Sequence, residues 1–404
     1  MQLRQLLWSH GGEKVALAVR LGELPLRALV RGAVKRIRRD PALWVFGGTK
    51  NRFGDNVAYL YVHLAESVKG RRCVWITGSR QLRDRIRAAG LEAELRWSRP
   101  GIRACARAGW YITSAYTSDI NRWLADGATL LNLWHGVPLK RIERDIASGP
   151  LNLVYSDRQP MKAAFADQTR PPDFLLAPSK FIAETCFLSA FGVPIERCLT
   201  FGYPRNDHFL APAEEPPHHL LVADPERWFG LRRRSRVVGY FPTWRDHHAS
   251  TTLPTLDLPD LAASLSRIGA HLVFKPHFNS PDGLAGGDMT ALDPDDDADA
   301  YLPLCDVLVT DYSSLAFDFM LLDRPIVYFT PDLDDYANYR GFYFSPSEMM
   351  PGSIVKEAPN LAPAIEAALA SGASPQVAKV RDLVWGDKRG CARERLLQFL
   401  LARS

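Results

Sequence analysis

Short apolar runs alternate with stretches of helical spacing along the whole 404-residue chain. Runs this brief, bounded by Gly, Pro, Asn and Asp, predict buried strands, and their alternation with helices predicts parallel α/β layers instead of a sandwich or bundle. A first set of strands is expected at residues 43–46, 74–77, 110–113, 129–134, 174–177 and 198–201. A second set is expected at 237–241, 271–274, 307–310 and 326–329, with a terminal helix near 393–401. Residues 211–236, rich in Pro, Glu and Arg, have the composition of a junction between two sets. The expected organisation is a basic amphipathic segment over 1–40, a Rossmann-like domain over 41–210, a second over 211–385 and a terminal helix over 386–404. Two similar lobes facing one cleft is the architecture this pattern favours.

The richest stretch runs from Val307 to Phe344. Val307 to Val309 are apolar; Thr310, Asp311, Tyr312, Ser313 and Ser314 then interrupt with hydroxyls, and helical spacing resumes at Leu315, Phe319 and Leu322. A strand, a hydroxyl-rich turn and a buried helix in that order would aim backbone N–H groups and a positive dipole end at a diphosphate. Ser313 or Ser314 also reads as an ordinary helix cap.

In open parallel sheets ligands bind beyond the carboxyl ends of the strands, so the residues that follow each run are the candidates for chemistry. TLLNLW is followed by His135, Gly136 and Lys140, VVGYF by Thr243, Trp244 and Arg245, and HLVF by Lys275 and His277. CLTFGYP ends in Arg205, Asn206 and Asp207, and Arg340 follows the strand at 326–329. A histidine at a strand end next to Gly or Pro can titrate near neutrality, as a general base requires, although each can equally bond nearby backbone. Lys275, Arg245 and Arg340 would suit a diphosphate and the negative charge that develops on it. The segment FGGTKNRFGDN fits neither GxGxxG nor GxxxxGK[ST], yet it offers Lys50, Asn51 and Asn56 to a substrate if it is more than a glycine turn.

Composition narrows the classes. Hydrophobic residues at 47% and charged residues at 24% exclude gross disorder. The net charge of +5 is concentrated where Arg27, Arg31, Lys35, Arg36, Arg38 and Arg39 interleave with Leu26, Leu29, Val30, Val34 and Ile37. On a helix this is a basic amphipathic face, suited to an anionic membrane surface or to packing on its own domain. Without an aromatic-interleaved basic platform, nucleic acid explains the charge poorly. Neither a spanning helix nor a signal peptide is expected, which places the chain in the cytoplasm. Six scattered Cys without Cys/His ligand spacing predict reduced thiols, no zinc site, no disulfide framework and no cofactor. The acidic run from Asp293 to Asp299 fails EF-hand spacing and reads as a solvated loop capping the next helix, with no metal. No GxSxG elbow supports a Ser-His-Asp hydrolase.

The ordered set WHGVPLKRIERD, GYPRND, FPTWRD, FKPH, CDVLVTDYSSLAFDFMLLDRPIVYF and DDYANYRGFYF, from Trp134 to Phe344, resembles the CDP-glycerol glycerophosphotransferase family of teichoic acid and related phosphopolyol polymer synthesis. The resemblance implies a GT-B-like fold and transfer of a polyol phosphate, glycerol phosphate foremost, from a CDP-activated donor to a hydroxyl of a lipid-linked saccharide or polymer, with release of CMP. It also implies peripheral association with the inner membrane face. By likeness the family's two histidines fall on His135 and His277 and its donor motif on Thr310 to Ser314. Lys275, Arg245, Asp311 and Arg340 complete the donor side; Lys50, Asn51, Asn56, Lys140, Arg205 and Asp207 are assigned to the acceptor side. A nucleotide-sugar glycosyltransferase of the same two-lobed fold and a non-catalytic membrane-associated scaffold are the alternatives.

Overall fold

The computed structural model describes residues 12–147, 154–155, 159–210, 216–242, 256–275, 289–293, 295–333, 341–387 and 389–403. Among them the chain forms two compact units, each built on one parallel sheet. Unit 1 comprises residues 1–135, 141–204 and 391–404, and unit 2 comprises 136–140 and 205–390.

The unit 1 sheet has strands β1 (Asp40–Gly47), β2 (Arg72–Thr77), β3 (Ala93–Leu95), β4 (Ala108–Thr113), β5 (Thr129–Asn132), β6 (Phe174–Ala177) and β7 (Cys198–Thr200). They lie in the order β3-β2-β1-β4-β5-β6-β7. The unit 2 sheet has β8 (Val237–Tyr240), β9 (His271–Phe274), β10 (Met289–Ala291), β11 (Val307–Thr310), β12 (Ile326–Phe329) and β13 (Ser353–Val355), in the order β10-β9-β8-β11-β12-β13. Every pairing among these strands is parallel. The strand order reverses at β1/β4 in the first sheet and at β8/β11 in the second, and the carboxyl ends beside such reversals are where α/β sheets place ligands.

Near-continuous apolar runs form these strands because helices cover both faces. In unit 1, α1 (Gly12–Gly22), α2 (Leu24–Val34), α3 (Asp55–Ser67), α4 (Arg80–Ala88) and α5 (Arg99–Arg107) accompany the sheet; unit 2 contributes α6 (Pro225–Arg232), α7 (Leu258–Ser266), α8 (Leu315–Phe319), α9 (Leu361–Ser371) and α10 (Pro375–Trp385). The terminal α11 (Ala392–Leu401) returns to unit 1, where Phe399 meets Trp110 and Phe174 edge-on. Val45, Val74, Ile76, Tyr111 and Ile120 belong to one buried cluster, and Val238, Leu272, Val307, Val309, Val327 and Ile365 to another.

The basic N-terminal face divides in two. Val34 is buried and Val30 packs beside it on the unit 1 core, whereas Val19, Leu26 and Leu29 are exposed at 51%, 56% and 72%. Arg20, 4% exposed, closes a buried ion pair with Asp167 at 2.6 Å. Arg39 is also structural: its guanidinium donates to the carbonyls of Cys105, Ala108, Leu124 and Asp126, and burial pulls its pKa down. Among the described residues no helix is long and apolar enough to cross a membrane.

The acidic run is not simply solvated. Asp297 does cap the following turn, but Asp296 is fully buried and receives the Ala223 N–H at 2.7 Å, the Tyr301 hydroxyl at 2.9 Å and Arg227 at 3.0 Å. The six thiols are free. Burial pushes Cys73, Cys105 and Cys305 up to about 12 and the half-buried Cys198 to about 11, and it raises Cys186 as well. Cys391 alone is exposed. Because the thiolate is the reactive form, a disulfide reagent at pH 8 should release one fast equivalent from the native chain and all six only after denaturation. Several fast equivalents would contradict this packing.

Candidate active site

Backbone strain marks the carboxyl edge of the first sheet. Of the seven non-glycine residues with positive φ among the described residues, Lys50, Asn51 and Asp55 lie after β1, and Trp134 and Glu143 lie after β5. Such conformations cost energy and persist only where surrounding contacts impose them, so five of seven in two loops single out those loops.

The loop after β5 carries His135. The strand ends at Asn132 and not, as its apolar run predicts, at Trp134, because Trp134 turns to φ 49°. Two buried amides hold that turn. Asn132 Oδ1 accepts the Trp134 N–H at 2.8 Å while its Nδ2 donates to Ala115 O at 2.8 Å. Asn56 Nδ2, at the start of α3, donates to Trp134 O at 2.9 Å. Trp134 is thus fixed from both sides of its peptide, and His135 stands exposed with its ring 4.0 Å from the indole centroid. Gly136 follows at φ 151°, where a Cβ would fall 2.5 Å from Ser314 Oγ. Farther along, Glu143 (φ 50°) accepts from the Tyr116 hydroxyl at 2.6 Å and from Tyr155.

The loop after β1 is tied just as closely. A Cβ on Gly48 would sit 2.2 Å from Arg52 O, so only glycine fits. Asn51 Oδ1 accepts from Gly78 N at 2.7 Å and from Arg96 at 3.0 Å; Arg96, its pKa lowered by burial, also donates to Asp119 O and Ile120 O. Asp55 accepts the Ser114 hydroxyl at 2.7 Å. Asn56 and Asn51 are therefore framework groups, and Lys50 is exposed.

In unit 2 the hydroxyl-rich turn follows β11, on one side of the β8/β11 reversal. Thr310 is fully buried and its hydroxyl donates to Phe241 O at 2.7 Å, a tie between strand ends. Asp311 is buried, whereas Ser313 and Ser314 are half-buried. Ser313 Oγ accepts the Leu315 N–H at 3.3 Å, a local turn contact, while Ser314 stands at the helix N-cap without a side-chain cap hydrogen bond. The helix expected to run through Leu322 is α8, of five residues, followed by a 3-10 turn that Asp323 ends at φ 53°, so its dipole is smaller than a long helix would supply. Lys275 donates to Asp293 O at 3.2 Å and to Asp296 O. Arg205, expected on the acceptor side, is 1% exposed in unit 2 and bound to Asp318 at 2.8 Å and Asp299 at 3.5 Å. Lys140 forms an antiparallel bridge with Phe342, and Tyr343 N donates to Leu139 O at 2.9 Å, which moors the segment after His135. Asp207 is half-buried in the turn Pro204–His208. Arg245, His277 and Arg340 lie outside the described residues. No group of acidic, His or Cys side chains among the described residues could hold a metal ion.

The CDP-glycerol:poly(glycerophosphate) glycerophosphotransferase family profile matches residues 31–402. The chain belongs to this family. It is 29% identical over 329 residues to the teichoic acid poly(glycerol phosphate) polymerase of Staphylococcus epidermidis, a match covering 78% of this chain and 44% of that one. It is 30% identical over 272 residues to the teichoic acid glycerol-phosphate transferase of Staphylococcus aureus, covering 63% of this chain and 65% of that protein. The chain thus matches between about half and two thirds of the length of these relatives. The wall teichoic acid polymerase TagF, solved as a histidine variant soaked with CDPG, superposes with a TM-score of 0.76 at 24% identity over 98% of both chains. That likeness establishes the GT-B-like α/β fold expected from the sequence.

Sequence reasoning missed Asn132, and its only signal was a polar residue inside the apolar run TLLNLW. Replacing Asn132 by Ala would leave the Trp134 N–H and Ala115 O unpaired, at about 1–3 kcal/mol each, and release the turn. A shift of about 1 Å in a reacting group costs on the order of 10²-fold in rate. Asn132→Ala should therefore lower kcat by roughly 10²-fold with KM for the donor nearly unchanged, and Asn132→Asp, which keeps the acceptor for Trp134 N–H, should recover part of it. Equal losses in Ala and Asp variants with melting points also lowered would indicate a structural role only.

Proposed function

We propose that this chain transfers glycerol phosphate from CDP-glycerol to a hydroxyl of a lipid-linked saccharide or polymer and releases CMP. The observation that carries this reading is the strained, doubly clamped turn that holds Trp134 and leaves His135 exposed at the carboxyl edge of the unit 1 sheet, in a chain of this family.

In the proposed reaction His135 accepts the proton of the acceptor hydroxyl. The freed oxygen attacks the phosphorus that bears glycerol, a new P–O bond forms, and the P–O bond to CMP breaks with its electron pair leaving on CMP. Phosphoryl-type transfer depends on positioning and charge neutralisation more than on covalent catalysis, and no enzyme-bound intermediate is required. Unit 2 holds the donor through the half-buried Ser313 and Ser314 and through Lys275. His277, placed by family likeness, joins Lys275 in stabilising the pyrophosphate, and Arg245 and Arg340 neutralise charge on the transferring group. Lys50, Lys140 and Asp207 contribute to acceptor binding. Thr310, Asn51, Asn56 and Arg205 act as framework.

The same reading places the enzyme in the cytoplasm on the inner membrane face. Its support is the exposed Val19, Leu26 and Leu29 of α1 and α2 in a segment that also carries Arg27, Arg31 and, just past α2, Lys35, an apolar and cationic combination suited to an anionic interface.

Incubation with CDP-glycerol, CDP-ribitol, UDP-sugars or GDP-sugars and a lipid-linked saccharide tests the proposal. The expected result is CMP release with phosphorus retained on the acceptor. Release of UDP or GDP would assign the chain to the glycosyltransferases, and no release from any donor would leave the scaffold alternative.

A further inference from the structure

Four arginines converge on a cavity of about 560 Å³ at the amino edge of the unit 1 sheet, where β1 and β2 begin. Arg103 and Arg107, four residues apart on α5, project from one helix face. Both are exposed, and no partner for either is found among the described residues. Arg71 lines the cavity with its Nε buried and unbonded. Arg72 pairs with Glu92 at 2.8 Å on a mutually exposed side. The cavity's one acidic wall residue is Asp40, whose Oδ1 already accepts the Ala42 N–H at 3.0 Å. Leu43 and Ala104, also in the wall, belong to the cluster that receives Val34 of α2.

Nothing in the transfer reaction uses this cavity. It lies at the opposite edge of the sheet from the loop of His135, about 25 Å away by the rise of an eight-residue strand. Guanidinium groups match the paired oxygens of phosphate by their fork of donors, and unpaired guanidinia in a concave site have that capacity unspent. We infer that this cavity is a second anion site that binds a phosphodiester. Two carriers present that group: the headgroup of an anionic phospholipid and a glycerol-phosphate chain. The inference is independent of the proposed catalysis, since binding alone reads it.

The test is Arg103→Gln/Arg107→Gln in the full chain, with Arg232→Gln/Arg233→Gln, exposed residues of unit 2, as a charge-matched control. The probes are phosphatidylcholine vesicles containing phosphatidylglycerol, and a soluble glycerol-phosphate oligomer. The cavity variant should bind at least one probe tenfold or more weakly than the parent, while the control changes less than twofold and CMP release with a short soluble acceptor is unchanged. The probe that loses affinity identifies the carrier. Equal losses in cavity variant and control, or unchanged binding of both probes, would overturn the inference.

Discussion

His135→Asn should lower the rate of CMP release by about 10³-fold while leaving the melting point and the KM for CDP-glycerol close to those of the parent. A positioned general base contributes roughly 10²–10⁴-fold, and asparagine matches the imidazole in size and hydrogen bonding without accepting a proton at neutral pH. Because His135 is exposed, its replacement opens no cavity. The comparison that matters is with Asn132→Ala, which keeps the imidazole and loosens its support. If His135 is the base, the variant lacking it must be the slower of the two, and its activity should recover little at high pH, where Asn132→Ala keeps the parent's pH profile. Near-parent turnover in a folded His135→Asn protein would remove the general-base assignment and leave the loop a binding element.

The two sheets were legible because their central strands are buried on both faces and so must be written as uninterrupted apolar runs, as in VLVT of β11 and HLVF of β9. The three strands that escaped, β3, β10 and β13, are all at sheet edges, three residues long and partly exposed, so no apolar run announces them. The site was legible only as position. A polar residue after a strand reads alike whether it meets a ligand or closes a tie within the fold, and Thr310, Asn51 and Arg205 are engaged with protein partners. What marks them as ties is hydrogen bonding to residues distant in sequence, which periodicity does not encode. The strain at Trp134 was hidden for the same reason: its clamps, Asn56 and Asn132, come from a helix start and a neighbouring strand end.

Removing Asp318 should cause the largest loss of stability. Arg205 and Asp318 form a two-pronged pair, Nη2 to Oδ2 at 2.8 Å and Nε to Oδ1 at 3.3 Å, with Arg205 1% exposed and Asp318 fully buried. Breaking a buried pair from one side strands the remaining charge, at about 3–5 kcal/mol. Asp299, 3.5 Å from Arg205 Nε, is the more distant carboxylate and compensates only partly. For a unit of this size that loss corresponds to a melting midpoint lower by roughly 10 °C. Activity should fall with it, since α8 carries Asp318 directly after Ser313 and Ser314. The decisive comparison is Arg205→Met with Asp318→Leu: the double variant removes the stranded guanidinium, although Asp299 loses its contact with Arg205, so it should melt above Asp318→Ala. Such recovery without recovery of CMP release would show that the pair also fixes the donor turn. A double variant as unstable as the single one would mean that packing around α8, and not the stranded guanidinium, sets the cost.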